Sequence, residues 1–174
     1  MSKKVVLAFS GGLDTSFCVP YLKEQGYEVH TVMVNTGGFS AEEEAAIEKR
    51  ALTLGAASHK NVNAVDTYYN KGIKYLIYGN ILKNATYPLS VSSERVFQAL
   101  EVLKHVKELG ADAVAHGSTG AGNDQVRFDI VFEVLAPQVE IIAPVRDNCF
   151  TRQFEIDFLQ KHGFDFSWEK AKYS

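Results

Sequence analysis

The chain has 174 residues, 46% of them hydrophobic and 22% charged, with a formal net charge of −3 at pH 7. This length and composition predict one soluble globular domain with a substantial core. The slight negative charge argues against nucleic acid or an anionic membrane as a partner, and the sequence shows no apolar run of membrane-spanning length and no signal peptide. Two cysteines far apart in sequence have no metal-type spacing, so we expect a cytoplasmic protein.

The first strongly patterned stretch joins a predicted strand over residues 5–9 to a predicted helix over residues 17–25. Between them stands Ser-Gly-Gly-Leu-Asp-Thr-Ser, residues 10–16. The glycine pair permits a sharp turn and close approach of a ligand, and the helix start offers unpaired N–H groups and a positive dipole end. With its three hydroxyl groups, the stretch predicts a loop that binds phosphate or pyrophosphate.

Two better-known phosphate loops do not match this stretch. It lacks the Gly-Lys-Ser/Thr ending of a Walker A loop and the G-x-G-x-x-G of a dinucleotide site. A tight turn whose hydroxyls merely cap the helix is the simpler alternative.

Strand and helix patterns then alternate along the chain. The predicted strands cover residues 5–9, 28–34, 58–62, 113–116 and 139–143. The predicted helices cover residues 17–25, 40–54, 66–77, 93–109, 126–135 and 151–162. Residues 78–92 predict a polar loop, which is longer than most connections and therefore a candidate for function.

This alternation predicts an α/β fold, a doubly wound, parallel, five-stranded sheet with helices on both faces. Ligands of such sheets bind beyond the C-terminal ends of the strands. The loops after the first, second and fourth strands are rich in glycine and hydroxyl residues. We therefore expect these three loops to lie along one edge and to form one site.

A second polar cluster follows the fourth strand, in Gly-Ser-Thr-Gly-Ala-Gly-Asn-Asp-Gln-Val-Arg, residues 117–127. Thr119 and Asn123 can donate to a carboxylate, Asp124 can bind an ammonium group, and Arg127 can form paired hydrogen bonds with a carboxylate. Together they predict a pocket for a zwitterionic amino acid beside a nucleotide. The alternative is a flexible loop in which the asparagine and aspartate cap the next helix.

These two motifs resemble the argininosuccinate synthase family, a branch of the N-type ATP pyrophosphatases. Residues 10–16 have the family's Ser-Gly-Gly-Leu-Asp-Thr-Ser form. Residues 117–129 are similar to its Gly-x-Thr-Gly-Lys-Gly-Asn-Asp-Gln-Val-Arg-Phe-Glu segment, with Ala121 in place of the lysine and Asp129 in place of the glutamate. The resemblance runs through the whole chain but covers only the family's N-terminal nucleotide-binding domain.

The resemblance implies an adenine nucleotide alpha hydrolase-like fold and a ligase of arginine biosynthesis. ATP, accompanied by Mg²⁺, would activate the ureido oxygen of citrulline as an adenylate with release of pyrophosphate, and the amine of aspartate would then displace AMP. Residues 1–164 would form the nucleotide-binding domain, and residues 165–174 would begin a linker to a second, synthetase domain. The full-length protein would be a homotetramer, and the nucleotide-binding part alone would turn over little or nothing.

The same resemblance assigns the site residues. ATP would be bound by Ala8, Phe9, Ser10, Gly11, Gly12, Leu13, Asp14, Thr15, Ser16, Val34 and Gly117. Aspartate would be bound by Thr119, Asn123 and Asp124, and citrulline by Tyr87, Ser92, Asn123 and Arg127. Catalysis would fall to Ser10, Asp14, Thr15 and Asp124, mainly through positioning and charge stabilisation.

Two other functions remain open from the sequence. The first is another ATP pyrophosphatase, such as a tRNA-thiolating or GMP-synthesising enzyme, although the acidic balance and the lack of zinc-type cysteine pairs weaken the tRNA option. The second is a non-catalytic ATP-binding module, which would not need an amino-acid pocket. Two single residues are equally open: His116 is either packed or catalytic, and Arg95 either reaches a substrate carboxylate or is solvated.

Overall fold

The computed structural model describes residues 2–168, except for the side chains of Lys83 and Tyr87. The strands are β1 (Lys4–Ala8), β2 (Glu28–Asn35), β3 (Ser58–Asn63), β4 (Leu82–Lys83), β5 (Tyr87–Pro88), β6 (Ala113–His116) and β7 (Glu140–Ile142). The helices are α1 (Leu13–Glu24), α2 (Ala41–Thr53), α3 (Val65–Tyr68), α4 (Lys74–Tyr78), α5 (Ser90–Leu109), α6 (Asp124–Leu135), α7 (Pro144–Asp147) and α8 (Arg152–Lys161), with a π-helical turn (Tyr69–Ile73) between α3 and α4. Across residues 2–168, every helix is too short or too polar to span a bilayer.

The central sheet confirms the predicted doubly wound α/β fold. Its five strands are parallel in the order β3-β2-β1-β6-β7. Side chains alternate between the faces of a strand, so Val5 and Leu7 pack with α1, α2 and α8, while Val6 packs on the opposite face with α5 and α6. Both faces of β1 are therefore buried, as is usual in parallel sheets.

The register of the sheet brings the predicted site loops together. β1 and β6 are direct neighbours, and Ala8 at the end of β1 is paired with His116 at the end of β6. The loops that follow these strands therefore begin side by side. The loop after β2 leaves the same edge, because β2 pairs with β1 on its other side.

Helix α1 begins at Leu13, four residues earlier than the sequence pattern predicts. Gly12 is its N-cap, and the N–H of Ser16 donates to the carbonyl of Gly12 at 2.9 Å, which closes the first turn. Polar residues at positions 14–16 suggested a loop, but the first turn of a helix tolerates them because its N–H groups lack intrahelical partners. Asp14, Thr15 and Ser16 therefore lie on the helix.

The loop predicted over residues 78–92 is wrong in part. β4 and β5 form a small antiparallel hairpin within it, and α5 already begins at Ser90. The hairpin turn uses positive φ angles at Asn84 (55°) and Ala85 (57°). Asparagine adopts such angles readily but alanine does so rarely, so no familiar turn signature marked the hairpin. The helix α7 was also not predicted, although Pro144 at its first turn is a typical start signal.

An aromatic cluster holds α8 against α1. The ring of Phe17 on α1 lies 5.0 Å from that of Phe158 on α8 and 5.3 Å from that of Phe150, both edge to face. Such pairs each contribute about 0.5–1.5 kcal/mol beyond their buried area. The packing fixes α8 against the helix that follows the loop at residues 10–12.

Candidate functional site

The loop after β1 presents two hydroxyl groups at the start of α1. The Oγ atom of Ser10 lies 3.3 Å from the Oγ1 atom of Thr15, and Thr15 also donates to the carbonyl of Gly12 at 3.3 Å. Ser10 and Gly12 are exposed to solvent. A negatively charged group placed here would face these hydroxyls, the N–H groups of the first helical turn and the positive end of the helix dipole.

Helix α2 supports this loop from behind. Gly11 has a φ of +74°, and a Cβ atom there would lie 3.0 Å from Ile47, so glycine is required on both counts. Arg50, one turn further along α2, donates from Nη1 to the carbonyl of Gly11. Its guanidinium carbon lies 5.3 Å from the ring centres of both Phe166 and Trp168.

Arg50 therefore connects the loop to the chain after α8, where the sequence predicts a linker over residues 165–174. Phe166 and Trp168 pack against the core on the α1 side of the sheet. Residues 169–174 lie outside the described residues. The boundary at residue 164 stays a prediction.

A buried carboxyl group accompanies Asp14 of the loop. Glu155 on α8 is 1% exposed, and its Oε2 atom has no hydrogen-bond partner among the described residues. Burial, together with the negative charge of Asp14 and a hydrogen bond to it, raises the pKa of Glu155 to about 8, and the positive charge of Arg152 opposes this shift only in part. Glu155 therefore keeps its proton to a higher pH than an exposed glutamate does.

Glu155 was not predicted as a site residue. Residue 155 shares a helix face with Phe158 and Leu159, three and four positions later, and Leu159 is fully buried. A carboxylic acid on the apolar face of an amphipathic helix is a sign that a specific partner lies opposite. That partner could not be named without the packing of α8 on α1.

The loop after β2 is organised by Asn35. Its Oδ1 atom accepts from the N–H of Gly37 at 2.7 Å, and its Nδ2 atom donates to the carbonyl of Phe39 at 2.8 Å and to Glu44 at 2.6 Å. The loop is thereby tied to the start of α2. Asn35 was not predicted as a site residue, although an asparagine at the end of a strand and before Thr-Gly-Gly is a turn signal.

At Val34, the main chain and not the buried side chain could reach the predicted site. Its side chain is 7% exposed and packs in the core beneath α5 and α6. The carbonyl of Val32 accepts from the N–H of Phe9 at 2.8 Å, on the β1 side of the strand. Because the direction of main-chain groups alternates along a strand, those of Val34 point the same way, beyond the end of β1.

Gly117 joins the two predicted loops. It is buried, and a Cβ atom there would lie 3.0 Å from the N and Cγ2 atoms of Thr15 and 3.1 Å from the carbonyl carbon of Asp14. The loop after β6 thus rests directly on the first turn of α1. The three loops form one edge, as expected from the sheet.

The predicted amino-acid cluster is assembled from α5 and α6. Asp124 accepts from the Nε atom of Arg95 at 3.0 Å and from the Nη1 atom of Arg127 at 2.5 Å. The Nη2 atom of Arg127 donates to the Oγ atom of Ser92 at 3.1 Å. Burial alone would raise the pKa of Asp124, but the hydrogen bonds and charges of Arg95 and Arg127 hold that pKa below its usual value. Arg95, left open by the sequence, is part of the cluster.

The other predicted site residues lie in varied surroundings. Thr119 and Asn123 are exposed, and the side chain of Asn123 makes no capping bond to α6, so the simple capping alternative is not what the structure shows. Tyr87 belongs to β5, but its side chain lies outside the described part of the chain.

Within residues 8–16, some side chains point away from the ligand position. Phe9 and Leu13 are 3% and 6% exposed and pack in the core. The hydroxyl of Ser16 is fully buried and has no hydrogen-bond partner in the described part of the chain. Its role in binding phosphate stays a prediction. Phe9 and Leu13 could meet a ligand only through their main chain.

The chain matches a known protein family. The family described as "Arginosuccinate synthase N-terminal HUP domain" matches residues 4–165. Argininosuccinate synthase of Xanthomonas campestris is 45% identical over 99% of this chain, and that of Pyrobaculum aerophilum is 42% identical over 99%. The chain spans 44% and 43% of the lengths of these two relatives.

Similarity to a solved structure supports the fold but says nothing about function. A predicted subunit of tRNA methyltransferase from Methanocaldococcus jannaschii superimposes with a TM-score of 0.59 over 91% of this chain and 74% of that chain. The two sequences are 18% identical, so the similarity carries no argument about RNA.

Gly117→Ala tests whether the two loops must touch. The new methyl group would meet main-chain atoms at 3.0–3.1 Å, which cannot move without displacing the first turn of α1. We expect ATP affinity, measured by calorimetry, to fall at least about tenfold, equivalent to about 1.4 kcal/mol. Gly122→Ala is the matched control in the same loop, because nothing lies within 4 Å of its Cβ position. Equal affinities for both variants would contradict the arrangement.

Glu155→Gln tests the buried carboxyl pair through the pH dependence of stability. Because folding raises the pKa of Glu155 from 4.5 to about 8, the folded state holds a proton that the unfolded state has released in this interval. The free energy of unfolding should therefore fall as pH rises through it, by at most about 1.4 kcal/mol per pH unit for one proton. Urea titrations should show a flatter pH profile for Glu155→Gln.

The control for this measurement is Glu133→Gln, which removes an exposed carboxylate from α6. It should keep the wild-type slope. If wild type and Glu155→Gln have the same slope between pH 5 and 8, Glu155 does not hold a proton in the folded protein.

Proposed function

Because the chain belongs to the argininosuccinate synthase family, we propose that it binds ATP and takes part in joining citrulline to aspartate. In the family's reaction, the ureido oxygen of citrulline attacks the α-phosphorus of ATP, pyrophosphate leaves, and the amine of aspartate displaces AMP. The observation that carries the proposal is the contact of Gly117 with the start of α1, which makes one cradle from the two most distinctive motifs.

The phosphates of ATP would lie at the start of α1. The exposed Ser10 hydroxyl and the neighbouring Thr15 hydroxyl, 3.3 Å apart, would donate to the β- and γ-phosphates, along with main-chain N–H groups of residues 11–15. Mg²⁺ would accompany these phosphates, since this ion is usually bound through phosphate oxygens and water with few protein ligands. The adenine would lie toward β2, where the outward N–H and C=O of Val34 can pair with the edge of the base.

The amino acids would be bound by the cluster at the start of α5 and α6. Asp124 offers a carboxylate to an ammonium group, and its lowered pKa keeps it charged. Arg127 and Arg95 have guanidinium N–H groups beyond those that bind Asp124, and Ser92 and Thr119 add hydroxyls. Alternating negative and positive groups suit zwitterions, and we assign aspartate to the Asp124 side and citrulline to the Ser92 and Arg127 side.

Catalysis would then rest on positioning and charge. A donor-lined helix start stabilises the negative charge that develops on the leaving pyrophosphate. Holding the ureido oxygen in line with the α-phosphorus converts a bimolecular step into one within a complex. The homotetramer, the cytoplasmic location and the lack of nucleic-acid or membrane partners stay predictions.

Ser10→Ala tests the assignment of the phosphates. A hydrogen bond to a charged group contributes about 1.5–3 kcal/mol, so ATP should bind about tenfold more weakly or worse. AMP lacks the β- and γ-phosphates, and its affinity should change less than about twofold. Thr53→Ala, which removes an exposed hydroxyl at the far end of α2, is the control. Calorimetry with both nucleotides measures these effects, and an equal loss for ATP and AMP would place the phosphates elsewhere.

Asp124→Asn tests the aspartate site. Removing the charge takes away the partner of an ammonium group, so aspartate binding in the presence of ATP and citrulline should weaken at least about tenfold. The nucleotide lies on the other side of the loop, and ATP affinity should stay within about twofold. Asp157→Asn, an exposed carboxylate on α8, should change neither value. The assignment is wrong if aspartate binds both proteins equally, or if ATP is lost along with it.

A further inference from the structure

His116 makes two hydrogen bonds that fix the position of its proton. The residue ends β6, is 1% exposed, and stacks on Phe128 with ring centres 5.6 Å apart. Its Nδ1 atom lies 3.2 Å from the main-chain nitrogen of Ser118, and its Nε2 atom lies 2.9 Å from Oδ1 of Asp129. An amide N–H can only donate, so Nδ1 must accept and carries no proton, while Nε2 carries the proton and donates to Asp129.

On its Nε2 side, the His116 ring is held by a chain of charged groups. Asp129 on α6 also accepts from Nη1 of Arg146 on α7, and the Nε atom of Arg146 donates to Asp147 at 2.9 Å. Burial lowers the pKa of His116, Asp129 and Asp147 act in the opposite direction, and Arg146 acts with burial, so that the ring is neutral at pH 7. Asp129 therefore acts as an acceptor toward the ring. If the ring proton were on Nδ1 instead, the hydrogen bond between Nε2 and Asp129 would be lost.

On its Nδ1 side, the His116 ring accepts a hydrogen bond from the loop after β6. The bond from Ser118 back to His116 spans two residues and closes a tight turn around Gly117. Gly117 is the residue that contacts the start of α1, where a Cβ atom would lie only 3.0–3.1 Å from main-chain atoms of Asp14 and Thr15. The acceptor at Nδ1 therefore sits directly behind the contact between the two loops.

We propose that His116 is a positioning residue for the nucleotide, whose unprotonated Nδ1 atom holds the Ser118 amide and so keeps Gly117 closed against the first turn of α1. The inference rests on the proposed function, because it assumes that ATP binds where these two loops meet. It differs from a packing role, in which the volume of the ring alone would matter. A positioning role needs a hydrogen-bond acceptor at one defined place.

Two substitutions separate these roles. The Oδ1 atom of asparagine can occupy the place of Nδ1, whereas the amide of glutamine reaches the place of Nε2 and can donate only to Asp129. His116→Asn therefore keeps the acceptor for Ser118, and His116→Gln keeps the partner of Asp129. Both lose the same stacked ring. ATP affinity should stay within about threefold of wild type in His116→Asn and fall at least about tenfold in His116→Gln.

A second measurement tests the same hydrogen bond without any nucleotide. Amide hydrogen exchange measured by NMR should show Ser118 protected in wild type and in His116→Asn, and exchanging faster in His116→Gln. The ¹⁵N spectrum of the wild-type ring should show an unprotonated Nδ1 and a protonated Nε2. Even if both variants fail to fold, a protonated Nδ1 in this spectrum would contradict the proposal.

A protonated Nδ1 in wild type would overturn the proposal, as would equal Ser118 exchange and equal ATP affinity in the two variants. The failure of the proposed function would look different. In that case wild type would bind no ATP, while the ring tautomer and the protection of Ser118 would still report on His116.

Discussion

The contact between Gly117 and the first turn of α1 is the constraint on which the site depends. A Cβ atom at Gly117 would lie 3.0 Å from main-chain and side-chain atoms of Thr15, which is closer than ordinary Cβ contacts and would force these atoms to shift. The approach is possible because β1 and β6 are neighbours and end at the same level. One short backbone contact thus turns two separate loops into one surface, with the helix dipole of α1 at its centre.

Rigid elements hold this contact from both sides. Behind the first loop, Arg50 donates to the carbonyl of Gly11 and lies over the rings of Phe166 and Trp168. Behind the second loop, His116 is bonded to Asp129, which in turn accepts from Arg146. A site on loops becomes precise when packed neighbours fix the loop in this way, because little reorganisation is then needed when charge develops.

The carboxylates along this edge have partners of three different kinds. Asp124 lies between two arginines, Asp129 between an arginine and His116, and Asp14 beside the buried carboxyl group of Glu155. An arginine pair favours the charged form of a carboxylate, whereas a second carboxyl group disfavours it. The cluster around Asp124, where we propose that the amino acids bind, is therefore rich in charged groups, while the proposed phosphate site at the start of α1 offers hydroxyls, N–H groups and the helix dipole. This division would suit a zwitterion beside a polyphosphate.

The sequence by itself determined the parallel sheet, the edge that carries the site, and the residues of both motifs, because hydrophobic period, glycine position and capping residues are local signals. It could not supply Glu155 or Arg50, since each acts through a partner 141 or 39 positions away whose place is set by packing. Nor could it supply the role of His116, because the packing of α6 places Asp129 against the ring. Asn35 did carry a local turn signal, since its partners lie only 2 to 9 positions away. It also misplaced the start of α1, because the polar residues of a first helical turn look like a loop until the cap is seen. Tertiary structure alone decided which side chains of residues 8–16 are buried and which are exposed, since burial depends on what α2 and α8 cover.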